Sequence, residues 1–446
     1  MKENESFEVK IENLVYGGYG LTHKDNKAIF IKHSAENEIV KASYIQRRKG
    51  VFFAEIQEII SPNLEQRRNE LCSLAKICGG CSYQHMNYDS QIKTKEKILQ
   101  NMFSGHEIKL SETIKSPIEF NYRNKCDFTF GKDSNGEIIL GMHPPNRYFE
   151  VLDLKECYLL PSKILEILKE SLKLVRESGL DVYQDLRDQG FWSNLIIRKS
   201  FSDDSCLVIW KVKDPQNPIL KQISFELIKK ISEIKGILAI PAPRGKIINI
   251  TGIDCLSEEV DGVNFIYSAE NFFQINISIL SKVLNRIKEL FDMSDCDTIF
   301  DLFSGIGIIG IFLAKKLSVE GKNIKVLSAE SDKGACKLAE LNAELNGLEK
   351  KNYECYFMDL FKKGWSNLFK NISNNACLII DPPRAGTSKK TIDEIFQINP
   401  KYIIYMSCNP STQRRDIDLL KERYELKSLE LIDMFPQTFH LESLAF

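Results

Sequence analysis

No stretch of this 446-residue chain is long and apolar enough to cross a bilayer. The longest charge-free run around an apolar centre, Leu302–Ala314, falls well short of the roughly 20 residues a spanning helix needs. The opening MKENESFEVK mixes acids with bases before any apolar run, so it does not read as a secretory leader, and the cytoplasm is the expected compartment. Net charge is −1, so no global field draws the chain toward a polyanion. Internal repeats and low-complexity tracts are absent as well, which argues against a solenoid or a tethering tail.

What is present is ordinary in bulk and specific in detail. The chain is 43% hydrophobic and 27% charged, and its length predicts two or three domains. It has 12 cysteines; without a leader these are expected as reduced thiols, metal ligands or catalytic groups. Basic pairs and triplets occur at Arg47-Arg48-Lys49, Arg67-Arg68, Arg123 with Lys125, and Arg414-Arg415. Acidic residues surround them, and solvated surface is the plain reading of each.

Three regions follow from the patterning. Up to about residue 62, short alternating strands (Phe7-Val9-Ile11, Ala28–Ile31, Val40–Ile45, Val51–Ile60) are separated by turns at Gly17-Gly18 and Gly20. Five short strands with glycine turns, these four among them, predict a small barrel of the oligonucleotide-binding (OB) kind. Residues 63–267 contain the cysteine-bearing segment, a helix over Asp89–Phe103 and mixed signals beyond it, an α+β region of open topology. From 268 to 446 strands and helices alternate: strands at Asp297–Leu302, Lys325–Ala329, Ala376–Ile380 and Tyr402–Met406, helices at Ile308–Lys316 and Lys333–Leu345. That alternation predicts an α/β fold, a doubly wound Rossmann-like sheet with ligands at the strands' carboxyl ends.

The loop Asp301-Leu302-Phe303-Ser304-Gly305-Ile306-Gly307 follows the first of those strands, and Gly305, Gly307 and Gly310 spell GxGxxG, a weak dinucleotide signature. Three features oppose that reading. Asp301 puts an anion where a pyrophosphate would be repelled but a cationic methionine suited. Asp381-Pro382-Pro383 ends a later strand, and Leu426–Phe446 reads as a paired-strand ending. S-adenosylmethionine is therefore the expected ligand, with Glu330 placed to accept from ribose hydroxyls. Cys408 stands at the carboxyl end of another strand, where a cysteine faces the crevice instead of serving as a small buried hydrophobe.

Ser407-Cys408-Asn409-Pro410-Ser411-Thr412, the run from Asp381 to Gly386 (DPPRAG), the run from Phe272 to Asn276 (FFQIN) and the closing His440-Leu441-Glu442-Ser443 together resemble the RNA (uracil-5-)methyltransferases of the RumA and TrmA group, over nearly the whole chain. The resemblance implies that Cys408 adds to the uracil ring, that Glu442 removes the C5 proton, and that Gln274, Phe303, Glu330, Asp359 and Asp381 contact S-adenosylmethionine. Many relatives carry Asn where this chain has Ile308, so that contact is not expected here. The N-terminal barrel resembles a TRAM domain, although Ala35-Glu36-Asn37-Glu38 replaces the expected PGE turn.

Cys72, Cys78 and Cys81 are tightly clustered around Gly79-Gly80, and three thiolates call for a fourth ligand that composition does not single out. The resemblance implies Cys157 and a [4Fe–4S] cluster; zinc is the alternative, and the CxxxCxxC of radical enzymes is missing. The other cysteines read as core. Because barrel and cysteine set occur together, 23S ribosomal RNA is the expected substrate, with tRNA as the alternative and a monomer as the expected state. A noncatalytic RNA-binding protein is opposed by Asp381, Cys408 and Glu442 occurring together.

Overall fold

A computed structural model describes residues 6–48, 50–370, 372, 373 and 375–446; Lys49 of the first basic cluster and residues 1–5 lie outside them. The N-terminal strands are β1 (Ser6–Lys10), β2 (Asn13–Val15), β3 (Tyr19–Lys24), β4 (Lys27–Lys32), β5 (Ile39–Arg48) and β6 (Val51–Ser61), in the sheet order β1-β5-β6-β4-β3-β2. β1 and β2 are separated only by Ile11-Glu12 and occupy the two ends of that order, so one bent strand closes the sheet into a five-stranded barrel. The Ile11 N–H donates to the Glu38 carbonyl (2.8 Å) and the Glu12 N–H to that of Leu21 (2.9 Å). Alternating burial fills the interior with Phe7, Ile29, Ile31, Val40 and Phe52, and β4 pairs β6 in parallel, as the OB order requires. Asn37 supplies a left-handed turn (φ 68°) ahead of the fully buried Glu38, whose carboxylate accepts from the Ala35 N–H (2.8 Å) and from Arg67 (2.8 Å).

An irregular cysteine-bearing segment leads to α1 (Tyr88–Met102), capped by the Asn87 side chain accepting from the Ser90 N–H. The central sheet has the order β13-β12-β11-β10-β7-β8-β9, built from β7 (Lys125–Lys132), β8 (Ile138–Met142), β9 (Leu152–Asp153), β10 (Trp192–Lys199), β11 (Cys206–Val212), β12 (Ile234–Pro241) and β13 (Ile248–Gly252). It packs with α2 (Ser162–Glu177) and α3 (Pro218–Lys230) in a core around Phe128, Trp192 and Trp210. A hairpin, β14 (Cys255–Val260) and β15 (Val263–Ser268), follows.

The last part contains α4 (Ile277–Ser294), β16 (Thr298–Leu302), α5 (Ile308–Val319), β17 (Lys325–Glu330), α6 (Lys333–Leu345), β18 (Tyr353–Phe357), β19 (Ala376–Ile380), α7 (Lys389–Ile398), β20 (Tyr402–Ser407), α8 (Pro410–Leu420), β21 (Leu429–Ile432) and β22 (Glu442–Ala445). Its sheet order is β18-β17-β16-β19-β20-β22-β21. The first five strands are parallel, and β22 runs antiparallel to both β20 and β21. The order reverses at β16, which pairs both β17 and β19 and so opens a crevice at their carboxyl ends. Among the described residues no helix is long and apolar enough to cross a membrane.

Two features depart from the sequence reading. The segment 88–116, expected with the central region, docks on the C-terminal sheet: the Ser111 and Ile114 N–H groups donate to the Leu429 and Leu431 carbonyls (2.9 and 2.8 Å), so this stretch extends the sheet beyond β21. Periodicity could not show this, because the partner lies hundreds of residues away. Arg67 and Arg68 are joints instead of solvated surface: Arg67 pairs with Glu38, and Arg68 with Glu119 (2.8 Å) and the Gln437 side chain (2.6 Å).

The ammonium of Lys95, on α1, meets the Asp433 carboxylate at 2.5 Å with both side chains fully buried, and also donates to the Phe435 carbonyl (3.1 Å). Burial pulls the Lys95 pKa down and the Asp433 charge pulls it back up. A buried pair of this kind adds little net stability, but breaking it strands a charge. Asp433→Leu should therefore destabilise the protein by about 3–5 kcal/mol, and adding Lys95→Met should recover most of the loss, both read by urea denaturation.

Candidate active site

The loop after β16 is shaped by left-handed backbone at Phe303 (φ 61°), Gly305 (φ 56°) and Gly307 (φ 84°). A Cβ at Gly305 would meet nothing within 4 Å, so this turn borders open space, whereas one on Gly310 would lie 2.7 Å from Asp301 Oδ2. The third glycine thus lets Asp301 approach the first turn of α5, where its carboxylate accepts from the Gly310 N–H (3.1 Å). An anion already holding the helix N-terminus leaves no seat there for a pyrophosphate. Glu330, the last residue of β17, accepts from the Gly305 N–H (2.9 Å) and from the N–H of Asp332 (2.8 Å). The Phe303 ring lies 5.6 Å from that of Phe361. Asp359 follows β18, its carboxylate accepting from the Phe361 N–H (3.0 Å), and Asp381 directly follows β19.

Asp301, Phe303, Glu330, Asp359 and Asp381 therefore all stand at carboxyl ends of adjacent parallel strands. Gln274 arrives from elsewhere, between β15 and α4. Its carbonyl accepts from the Asn124 side chain (2.9 Å), and its own amide has no protein partner among the described residues. The carboxylate-rich crevice, with its open turn at Gly305, fits a cationic ligand carrying ribose hydroxyls.

Each residue of Ser407-Cys408-Asn409-Pro410 has a local task. The Ser407 hydroxyl accepts from the Asn409 N–H (3.1 Å), tightening the turn. Asn409 caps α8 by accepting from the Ser411 N–H, and Pro410 takes the first helical position, where a missing N–H costs nothing. Cys408 is left half-buried between them. On the neighbouring strand Ser443 pairs Ser407 in antiparallel register, the last pair of that ladder, so Cys408 and Glu442 are the next residue of each chain beyond it, and the Glu442 charge acts on the Cys408 thiol. Gln413 locks the two strands by donating to the Tyr405 (2.8 Å) and Ser443 (3.3 Å) carbonyls and accepting from the Ser443 hydroxyl (2.6 Å).

Glu442 is 4% exposed and its Oε2 has no partner among the described residues. Loss of hydration, then the nearby Asp381 charge, push its pKa up to about 8 against the opposing pull of Arg384. Loss of hydration also pushes Asp301 and Asp381 up to about 7. The Cys408 thiol is raised by burial and by the Glu442 and Asp381 charges, and lowered by Arg384. Such shifts mark groups held ready for proton transfer.

Arg384 lies within DPPRAG, in the loop after β19. Its backbone carbonyl accepts from the Asn409 side chain (2.9 Å), tying this loop to that of Cys408. Its exposed guanidinium makes no ion pair among the described residues, yet its charge is felt at Cys408, Glu442 and His440. His440 is held neutral at pH 7, its pKa lowered to about 4 by burial and then by Arg384. Nothing in composition distinguishes these two residues; only their nearness to Cys408 in space does.

The loop from Asp433 to Leu441 carries His440 and leads into Glu442, and Gln437 fixes it. Gln437 is fully buried with a left-handed backbone (φ 69°). Its carbonyl accepts from the N–H groups of Ser82 (2.9 Å) and Tyr83 (3.0 Å). Its N–H donates to Gln91 (2.9 Å), and its side chain binds Arg68, Gln91 and Glu119. Ser82 also accepts from the Phe439 N–H (2.7 Å). Residues directly after Cys81 therefore hold the loop that leads into Glu442.

Cys72, Cys78, Cys81 and Cys157 gather at this junction. Burial raises the Cys81 thiol pKa, and so do the other three thiols, which places them within electrostatic reach of one another. Cys157 is pushed up to about 11, again mainly by burial. The Gly80 N–H and the Gln84 side-chain amide approach the Cys78 and Cys81 sulfurs (3.4 and 3.8 Å). Four half-buried thiols within electrostatic reach of one another, two of them with donors aimed at sulfur, suit a cluster held by thiolates more than a single ion, because no three of their sulfurs lie within 4.8 Å of one another among the described residues.

The sheet order with its antiparallel β22, and the carboxylate-lined crevice at β16, define an S-adenosylmethionine-dependent methyltransferase fold. Within that class the chain belongs to the RNA (uracil-5-)methyltransferase family: the model of that family, tRNA (Uracil-5-)-methyltransferase, matches residues 87–446. Among its relatives is an uncharacterized RNA methyltransferase of Clostridium acetobutylicum, 29% identical over 99% of this chain and 97% of its own. Another, of Thermotoga maritima, is 28% identical over 98% and 97%. The fold is also that of Pyrococcus abyssi tRNA (uracil-54, C5)-methyltransferase, solved with S-adenosyl-L-homocysteine, at TM-score 0.78, 23% identity and 98% coverage of each chain.

The raised carboxyls have a consequence for stability. Ordinary Asp and Glu values lie near 4, so above that pH the folded protein holds protons at Asp301, Asp381 and Glu442 that the unfolded chain releases. Their contribution is full below about pH 4 and is lost as pH rises through about 7 to 8. The thermal midpoint of the ligand-free protein should fall between pH 6 and 9, and Asp381→Asn with Glu442→Gln should flatten that slope.

Proposed function

We propose that this protein methylates C5 of a uridine in RNA, with Cys408 as nucleophile and Glu442 as the base. The observation that carries the reading is a half-buried thiol and a buried carboxyl with one unpartnered oxygen, each the next residue beyond the Ser407–Ser443 pair and within electrostatic reach of one another. Uracil C5 is too weak a nucleophile to take a methyl group unaided. The Cys408 thiolate forms a bond to C6, and the C5–C6 π electrons shift to make C5 enolate-like. S-adenosylmethionine, when bound, supplies the methyl group as an electrophile. Glu442 then takes the C5 proton; the electrons of that C–H bond restore the C5–C6 double bond, and the thiolate leaves. Phe303, Glu330, Asp359, Asp381 and Gln274 are the residues proposed to hold the methyl donor, and Arg384 steadies the thiolate.

The proposed division of labour is a TRAM-like RNA-binding barrel over residues 1–62, a cluster-bearing region over 63–267 and a methyltransferase domain over 268–446, working as a cytoplasmic monomer. Barrel and cysteine set together favour 23S ribosomal RNA as substrate. The second reading is tRNA, favoured because the Pyrococcus abyssi enzyme of like fold over the whole chain carries tRNA in its name. Mapping 5-methyluridine by mass spectrometry in both RNA pools of a strain lacking this protein separates the two.

Cys408→Ala should abolish methyl transfer while leaving S-adenosylmethionine affinity within a few fold, because the thiol acts on the base. Glu442→Gln should accumulate a covalent RNA adduct on denaturing gels, since methylation precedes proton removal. Normal turnover in either variant would remove that residue from the mechanism.

For the four cysteines we propose a [4Fe–4S] cluster, which their donor chemistry suits. Anaerobically purified protein should absorb broadly near about 400 nm with about four irons per chain, and Cys→Ser at Cys72, Cys78, Cys81 or Cys157 should each bleach it. A colourless protein with one zinc would replace the cluster by a structural zinc site.

A further inference from the structure

The turn joining β2 to β3 in the N-terminal barrel, Tyr16-Gly17-Gly18, does not face solvent with the rest of the barrel surface. The Tyr16 ring meets that of Phe439 edge to face at 5.6 Å, and Phe439 in turn lies 4.2 Å from the His440 ring. Gly18 is buried in a left-handed conformation (φ 79°), where a Cβ would stand 3.0 Å from that of Ser82 and 3.4 Å from that of Phe439. Leu14 packs with Tyr83, Met86 and Phe439. The barrel is thus seated on the loop that carries His440 and leads into Glu442, and the Tyr16 side chain packs along the same cluster as Leu441.

Tyr16 is only partly buried, and its hydroxyl has no hydrogen-bond partner among the described residues. The charges of Arg384 and Cys408 both act on it, so the phenol, packed through Phe439 against the loop that leads into Glu442, lies within electrostatic reach of the candidate nucleophile. An aromatic face with a free hydroxyl, beside a guanidinium and a thiol, is the equipment that holds an unstacked pyrimidine nucleotide.

We propose that Tyr16 is a substrate-positioning residue: its ring forms the barrel-side wall of the pocket that receives the extruded uridine, so the N-terminal barrel completes the active site. This rests on the reading of Cys408 as the nucleophile that attacks that uridine. Taking a base out of its stack removes its neighbours' π contacts, and an aromatic wall beside the thiolate restores one of them while setting the ring's tilt. The barrel then acts on the chemical step and not only on overall RNA affinity.

The test uses the full-length protein with S-adenosylmethionine and RNA containing 5-fluorouridine, whose C5 fluorine cannot be taken as a proton, so the Cys408 adduct persists. Tyr16→Leu keeps an apolar contact to Phe439 but lacks the ring. It should slow adduct formation about tenfold, in line with the lower end of what one base–aromatic stack contributes. Tyr16→Phe should restore the rate to within about threefold, with thermal midpoint and S-adenosylmethionine affinity unchanged in both variants. A Tyr16→Leu rate equal to wild type, or a loss matched by an equal loss of S-adenosylmethionine binding or of thermal stability, would overturn the proposal. Cys408→Ala serves as the reference. If that variant still forms adduct, the nucleophile reading fails; if it forms none while Tyr16→Leu behaves as wild type, only the role of Tyr16 fails.

Discussion

The site depends on one buried side chain, Gln437, held in a backbone conformation that a residue with a Cβ adopts at a cost of about 1–2 kcal/mol. What keeps it there is a shell of hydrogen bonds: Arg68, Ser82 and Tyr83 donate to it, Glu119 accepts from it, and Gln91 does both. In a dry interior, each bond left unmade would be expensive. The chain direction fixed at Gln437 decides where Phe439 and His440 fall and how Glu442 enters β22 beside the Cys408 turn. The barrel, through Gly18 and Tyr16, and the cysteine segment, through Ser82, both press on this one loop. Three regions far apart in sequence thereby share responsibility for a single carboxyl.

The crevice itself is electrostatically unfavourable when empty. Asp301, Asp381 and Glu442 converge where water is scarce, and the first and last are both raised further by the Asp381 charge. A cationic methyl donor relieves that crowding, so ligand binding and ionisation of these groups favour each other. Arg384, exposed at the rim, supplies the only opposing protein charge that acts on both Cys408 and Glu442 among the causes identified there.

The strands of the C-terminal sheet were legible because each is a short apolar run closed by a turn signal; Ala376–Ile380 and the helix Lys333–Leu345 match residue for residue. The loop glycines were legible too, although one motif covers two jobs: Gly305 and Gly307 turn the chain, and Gly310 clears space for Asp301. The five barrel strands could be counted, but not the split of the first into β1 and β2, since a bend of two residues leaves no periodic trace. Whatever depends on distant partners stayed hidden. The docking of 88–116 on β21, the inward use of Arg67 and Arg68, the reach of Arg384 and the seat of Tyr16 are all settled by residues far along the chain. Local pattern carries no information about such pairs.

The pairing of Lys95 with Asp433, 338 residues apart, and of Arg68 with Gln437, 369 apart, also bears on the order of folding. Closing loops of that length costs entropy before any contact offsets it, and such topologies fold slowly. The barrel and the central sheet are built from neighbouring segments and have no such delay. The loop from Asp433 to Leu441 therefore reaches its native contacts only after segments hundreds of residues apart have met. Until they meet, Arg68, Lys95 and Glu119 lack the partners they have in the folded protein, and the seam that is driest in the native state stays open to water.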